Sequence, residues 1–166
     1  MIFVTVGAQM PFDRLVRTVD EWAGRRGNGA EIVAQIHDSR YQPRHFQAVR
    51  FLDPLEFSAH VRRADVIISH AGIGSIFAAM QAHKRLLVMP RRAALHETRN
   101  EHQVATVRHF ARYGIGVAMD EHELRAALDR LEALPPAGPL PEAASTELLA
   151  ALTDFIAQDQ KVRARR

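Results

Sequence analysis

Apolar, β-branched runs recur along this chain at regular intervals, and several of them do not alternate with polar residues. Residues 2–6 read Ile-Phe-Val-Thr-Val, residues 65–69 read Asp-Val-Ile-Ile-Ser, and residues 86–89 read Leu-Leu-Val-Met. A strand that is apolar at successive positions must be buried on both faces, which is the condition of a parallel sheet covered by helices on each side. Strand candidates lie at 2–6, 31–36, 47–52, 65–69, 86–89 and 115–118. Helical patterns fall between them at 11–24, 54–63, 74–83, 100–113 and 121–132. Pro11 suits the first turn of the first helix, where its missing N–H costs nothing, and Asp53-Pro54 starts the second in the same way. Strand–helix–strand repetition of this kind predicts an α/β fold: a single doubly wound parallel sheet of about six strands.

The length of 166 residues fits one domain, expected over 1–133. It is followed by a proline-rich connector at 134–145, an amphipathic helix at 146–160 and a basic tail at 161–166. That helix has its N-cap at Ser145 or Thr146 and apolar residues at 148, 149, 152, 155 and 156, and it either packs back on the domain or docks on another chain. The tail is either a solvated end or a point of attraction to an anionic membrane face or acidic partner. A hydrophobic fraction of 47% and a charged fraction of 25% are those of a soluble globular protein. With no cysteine, disulfides and thiolate zinc sites are excluded, and a reducing compartment is expected. No run approaches the roughly 18 apolar residues of a membrane-spanning helix. The opening apolar run has no basic region before it, so it reads as a strand and not as a secretory signal. Net charge is only +3, without a basic stripe interleaved with aromatics, which argues against a nucleic-acid partner.

In open parallel sheets, ligands bind outside the carboxyl ends of the strands, and three such ends carry unusual residues here. After the first strand come Gly7, Ala8 and Gln9, either a plain strand–helix turn or an anion site formed by amides at a helix N-terminus. After the fourth, "SHAGIGS" places His70 at the strand end, Gly72 and Gly74 in a tight turn, and Ser75 as a cap and hydroxyl. This is neither GxGxxG nor GxxxxGK[ST], which disfavours a dinucleotide or P-loop nucleotide triphosphate site. After the fifth, "PRRAALHETRNEHQ" brings together Arg91, Arg92, His96, Glu97, Arg99, Asn100, His102 and Gln103. "HETRN" is not the HExxH zinc motif, because its fifth residue is Asn100, and no metal site is expected.

Taken in order and spacing, "TVGAQMPFDRLV", "FLDPLEFSAHVRRADVIISHAGIGSI", "KRLLVMPRR" and "NEHQ" resemble the C-terminal, donor-binding half of GT-B glycosyltransferases of the family 28 type. That half is Rossmann-like. The resemblance extends to the small stand-alone catalytic subunits of two-part UDP-sugar transferases, in the UDP-N-acetylglucosamine transferase of N-glycan synthesis and in bacterial exopolysaccharide glucuronosyltransferases. It implies a UDP-sugar substrate, with no cofactor and no metal. Gly7, Ala8, Gln9, Gly72, Ile73, Gly74 and Ser75, with His70, would cradle the diphosphate; Phe51 and Leu52, at the end of the third strand, would lie against uracil. Asn100, His102 and Gln103 match the segment that meets the donor sugar. Ala78 stands where many members have a ribose-binding glutamate, leaving Gln81 or a partner to replace it, and His37 stands where a glycine often follows "QI".

Arg91, Arg92 and Arg99 suggest a fork for the carboxylate of a glucuronate donor, although they equally suit the diphosphate or a partner. UDP-glucuronate is therefore expected slightly ahead of UDP-N-acetylglucosamine. The resemblance further implies inverting transfer to a lipid-linked saccharide in polysaccharide biosynthesis. The acceptor site would lie on a membrane-anchored subunit, which would hold this chain at the cytoplasmic face of the plasma membrane and be required for activity. If the base is local, His102, His96 and Glu97 are its candidates. A non-catalytic nucleotide-sugar-binding module is the alternative; a hydrolase is disfavoured because no GxSxG elbow is present.

Overall fold

A computed structural model describes residues 1–139. Within them one sheet is built from β1 (Ile2–Thr5), β2 (Ile32–Gln35), β3 (Gln47–Val49), β4 (Val66–His70), β5 (Arg85–Met89) and β6 (Gly116–Val117). The spatial order is β3-β2-β1-β4-β5-β6, and every neighbouring pair is parallel. The flanking helices are α1 (Asp13–Arg26), α2 (Pro54–Arg63), α3 (Ile73–Gln81), α4 (His102–Phe110) and α5 (Glu121–Leu128). This is the Rossmann-like α/β architecture that the alternating pattern predicted.

The uninterrupted apolar strands supply two cores at once, because successive side chains leave a strand on opposite faces. Val4, Ile68, Leu87 and Met89 pack with Leu15, Val19 and Trp22 of α1 and Leu124 and Leu128 of α5. Phe3, Ile67, Leu86 and Val88 pack on the other face with Val61 of α2, Ile76 and Met80 of α3, and Val107 and Phe110 of α4. At roughly 1.5–3 kcal/mol for each large apolar side chain removed from water, this two-sided burial holds strands of only four or five residues in register.

Several boundaries differ from expectation. β3 is an edge strand whose residues are all exposed, and it ends at Val49, so Phe51 and Leu52 lie in the following loop and not on the strand. Pro11 precedes α1, whose N-cap is Phe12. Ser75 caps nothing: Gly72 is the N-cap of α3, and Ser75 is buried inside its first turn. Asp53 does cap α2, accepting from the amides of Leu55 and Glu56 at 2.8 and 2.9 Å while the Asp53 amide donates to Glu56. The start of the proline-rich connector lies against the domain, with Leu134 O accepting from Arg85 Nε at 2.9 Å and Gly138 N–H donating to Tyr113 O at 2.7 Å. The rest of the connector from residue 140, the helix expected at 146–160 and the basic tail lie outside the described residues. Among the described residues no helix is long and apolar enough to cross a membrane.

The crossover from β2 to β3 contains no helix, and a single carboxylate replaces the packing that one would have provided. Asp20 of α1, fully buried, accepts from Tyr41 Oη at 2.8 Å and from the amides of Arg44 and His45 at 3.0 and 2.9 Å. His45 Nδ1 lies 3.3 Å from the same carboxylate. Burial pushes the Asp20 carboxyl up, but these donors and the nearby His45 outweigh it and hold the group below its ordinary value. A carboxylate depressed in the folded state stabilises the fold above the ordinary carboxylate range near 4, and that contribution disappears as pH falls. Asp20→Ala should cost about 2–3 kcal/mol in thermal or chemical denaturation at neutral pH, by stranding several buried donors. The gap from wild type should narrow as the melts are repeated at pH values falling below about 4.

Candidate functional site

The strand order reverses between β1 and β4, and there the loops following the two strands diverge and leave a crevice. A cleft of about 640 Å³ occupies it, within the range of small-molecule sites. Its walls are the turn after β1, the start of α3, the loop from β3 into α2, and the segment after β5. Not one of its lining residues is an Asp or Glu, whereas Arg91, His70 and His102 all face it. A second concavity of about 490 Å³ at the opposite edge of the sheet is lined by Glu31, Asp65, Asp129 and Glu132 together with Arg26 and Arg85, and two of its acids are already paired, Asp65 with the Met1 amine and Asp129 with Arg26.

The phosphate-binding capacity of the cleft comes from backbone. α3 opens on Gly72 with no side-chain cap, so the first amides of the helix face the cleft without an intrahelical acceptor and with the positive end of the helix dipole behind them. Gly74, inside that first turn, has a helical conformation, and a Cβ placed on it would meet nothing within 4 Å. A helical glycine costs roughly 0.5–1 kcal/mol relative to alanine, and neither backbone angle nor packing requires one here. What it provides is an amide that another molecule can approach closely. Gly7 has a φ of 80°, and a Cβ there would lie 2.6 Å from His70 Cε1; a Cβ on Gly72 would lie 2.1 Å from His70 Nε2. Ala8, Gln9 and the exposed Ile73 complete these two walls.

The polar segment after β5 is arranged differently from the sugar-binding cluster expected. Arg91 is buried, 4% exposed, with its guanidinium over the Phe12 ring. Its Nη2 donates to the backbone carbonyls of Val6 (2.8 Å), Met10 and Pro11, while Nε finds no partner. Gln103, also buried, accepts the Arg91 amide at 3.0 Å through Oε1, which leaves its side-chain nitrogen as the group available to the cleft. Arg92 pairs with Glu101 at 3.3 Å and Arg99 is exposed, and neither lines the cleft. The three arginines therefore form no fork. Glu97 is held bidentately by Arg14 at 2.7 and 2.8 Å and accepts the Arg92 amide, so it is an anchor and not a free base. His96 ends a short 3-10 turn in a left-handed conformation, exposed and away from the cleft. Asn100 is not in the lining either; its Oδ1 accepts the His102 amide at 3.1 Å and contacts the His102 ring. Of the three candidate bases only His102 faces the cleft.

On the opposite wall Phe51 is 57% exposed, an aromatic face with no protein partner covering it, and Leu52 is buried beside it. Ala78 packs against the core, and Gln81 is exposed at the far end of α3, outside the cleft lining. Gln35, Ser58 and Thr98 line the cleft and were not anticipated. Gln35 was the most legible of them, a polar residue closing an otherwise buried strand at the ligand edge. It is 2% exposed, donates to Gly7 O at 3.4 Å and leaves Oε1 unpartnered.

Gly74→Ala is expected to raise thermal stability by about 0.5 kcal/mol through helix propensity and to weaken binding of inorganic pyrophosphate, as an anionic probe, about tenfold in calorimetry. Gly72→Ala is expected to lose both stability and binding, because its methyl overlaps the His70 ring.

No curated protein matches the sequence. Among solved structures, the glycotransferase of kitacinnamycin superimposes with a TM-score of 0.56 at 19% identity, over 78% of this chain but 34% of its own. The NMR structure of ALG13 gives 0.55 at 19% identity over 91% of this chain and 93% of its own. MurG of Acinetobacter baumannii gives 0.55 at 17%, over 78% and 40%. The chain thus spans about a third of the first structure's length and nearly all of the ALG13 structure's, and at these identities the likeness concerns the fold, that of GT-B C-terminal halves. The sequence itself matches the glycosyltransferase family 28 C-terminal domain over residues 1–158. With nearly the whole chain inside that match, the protein belongs to the glycosyltransferase family 28 C-terminal domain family.

Proposed function

We propose that this chain binds a UDP-sugar and presents it for inverting transfer to a lipid-linked saccharide in polysaccharide biosynthesis. The observation that carries the reading is an acid-free cleft at the sheet's switch point, closed on one side by uncapped helix amides and a glycine that the fold does not need. The diphosphate would sit between the Gly7–Gln9 turn and Gly72–Ser75, uracil against Phe51 and Leu52, and the sugar toward His102 and Gln103. In the transfer step the acceptor oxygen attacks the anomeric carbon. The bond from that carbon to the diphosphate oxygen then breaks, and its electron pair leaves with UDP. Amides preorganised around the diphosphate stabilise that developing charge.

The acceptor proton needs a base. Glu97 is tied to Arg14 and His96 lies elsewhere, so His102 is the one local candidate and a partner the other source. A partner is also supported by exposed apolar side chains, since Phe51 and Ile73 of the cleft lining are 57% and 54% exposed and Leu55, next in the chain to the lining residue Pro54, is 81% exposed. We assign that partner as the membrane-anchored, acceptor-binding half implied by the sequence resemblance, which would place the chain at the cytoplasmic face of the plasma membrane. The tied Glu97 also favours a second reading, a nucleotide-sugar-binding module without catalysis.

Sugar transfer from UDP-donors to a lipid-linked acceptor, assayed with this chain alone, the partner alone and both together, separates the two: activity is expected only from the pair. Turnover by this chain alone overturns the two-part reading, and none from the pair favours the binding module. UDP-glucuronate remains the first donor to test and UDP-N-acetylglucosamine the second. With Arg92 and Arg99 outside the cleft lining and no arginine fork formed, the glucuronate reading rests on the sequence resemblance. A preference of the pair for UDP-glucuronate supports it, and a preference for the neutral sugar refutes it.

A further inference from the structure

The cleft reserves space for one titratable ring. His70 stands at the end of β4 with Gly7 on one side and Gly72 on the other, and a Cβ on either would come within 2.6 or 2.1 Å of ring atoms. Nδ1 is shut off from solvent and has no hydrogen-bond partner, which leaves Nε2 as the nitrogen that meets the cleft. Two charged or titratable groups face the ring: Arg91 from the end of β5 and His102 from α4. The lining side chains from the turn after β1, from β2, and from the starts of α2 and α3 carry no charge. No carboxylate is therefore present to stabilise an imidazolium. Burial first, then the Arg91 charge and more weakly His102, hold the ring's pKa down to about 3, against a small opposing contribution from the Thr5 backbone. In the empty cleft His70 is neutral, and a neutral imidazole offers one N–H where an imidazolium offers two.

We propose that His70 takes up a proton from solvent when the diphosphate of a nucleotide-sugar enters the cleft, so that this site completes its counter-charge only in the presence of its ligand. The proposal rests on the donor-site reading above and adds a charge state to it. Arg91 supplies one positive charge, with its Nη2 given to the carbonyls of Val6, Met10 and Pro11, whereas a diphosphate diester carries two negative charges. The ligand itself reverses the electrostatics that keep the ring neutral. An opposite charge in contact raises the pKa of a histidine, and a diphosphate diester brings two such charges, which lifts the ring well above its value in the empty cleft. The sign follows directly: a group with a higher pKa in the bound state strengthens binding as pH falls, from the bound value down to the free value of about 3. The same proton remains beside the leaving diphosphate as its charge grows.

The test uses UDP-N-acetylglucosamine, whose diphosphate is a diester with no proton of its own to exchange near neutrality. Calorimetry on the full chain between about pH 8 and pH 5, in buffers of different ionisation heat, reads affinity and proton exchange together. The expected result is affinity that rises with falling pH, approaching tenfold per unit, with uptake approaching one proton per ligand. His70→Asn should bind more weakly with no pH slope and no uptake, and His102→Asn should keep the uptake. Nitrogen-15 NMR of the wild-type histidines gives a second readout that needs no variant: one ring should show both nitrogens protonated only with ligand bound. Binding without proton uptake, or uptake that survives in His70→Asn, overturns this inference and leaves the donor site standing. No binding by the wild type at any pH overturns both.

Discussion

A guanidinium with no carboxylate partner holds the two rims of the cleft together. Arg91 reaches from the end of β5 to the carbonyls of Val6, Met10 and Pro11, some 80 residues earlier in the chain. Burial lowers its pKa to about 10, yet it remains charged at any physiological pH. A buried cation satisfied by carbonyl dipoles leaves its net charge uncancelled. That charge is directed into the cleft, where it keeps His70 neutral and attracts anions. Arg14 repeats the strap one layer out, gripping Glu97 and Pro90 O, so that the segment after β5 is attached to the start of α1 at several points.

Stability and ligand approach are in competition around this strap, and the chain resolves the competition differently on each side. Where only structure is at stake, local rules are obeyed: Asp53 and Glu56 form a reciprocal cap on α2, and Asp20 satisfies the donors of a crossover that lacks a helix. At the cleft the rules are broken. α3 begins without a side-chain cap, carries a helical glycine with empty space above it, and faces a ring whose Nδ1 is unpartnered. Violations concentrated at one edge of an otherwise consistent fold are the expected mark of a binding site. The exposed apolar rim adds a further one, explained if another surface covers it.

The sequence was most legible where the constraint was local or periodic. Burial on both faces left its pattern in 2–6, 65–69 and 86–89, and from it the sheet and its helices followed to within a few residues. The glycines at 7, 72 and 74 were legible for the same reason, since the demand for backbone access appears in the residue itself. The segment 91–103 was misleading because its polarity is real but its partners lie elsewhere in the chain. Arg91 both lines the cleft and holds Val6, whereas Glu97 and Asn100 lie outside the lining and hold Arg14 and His102. Gln35 was passed over because one polar residue at a strand end carries little signal until the neighbouring strand brings Gly7 beside it.

By itself, then, the sequence determined the layered α/β fold, the family and the edge of the sheet that carries the cleft, because each follows from hydrophobic periodicity or from short motifs read within one loop. Tertiary structure alone decided which polar side chains belong to the cleft and which to the frame. A charged group can turn toward a ligand or toward a distant backbone carbonyl, and that choice depends on distances between segments 80 or more residues apart. It also decided the charge state of His70, since burial and the field of Arg91 exist only once β4 and β5 lie side by side.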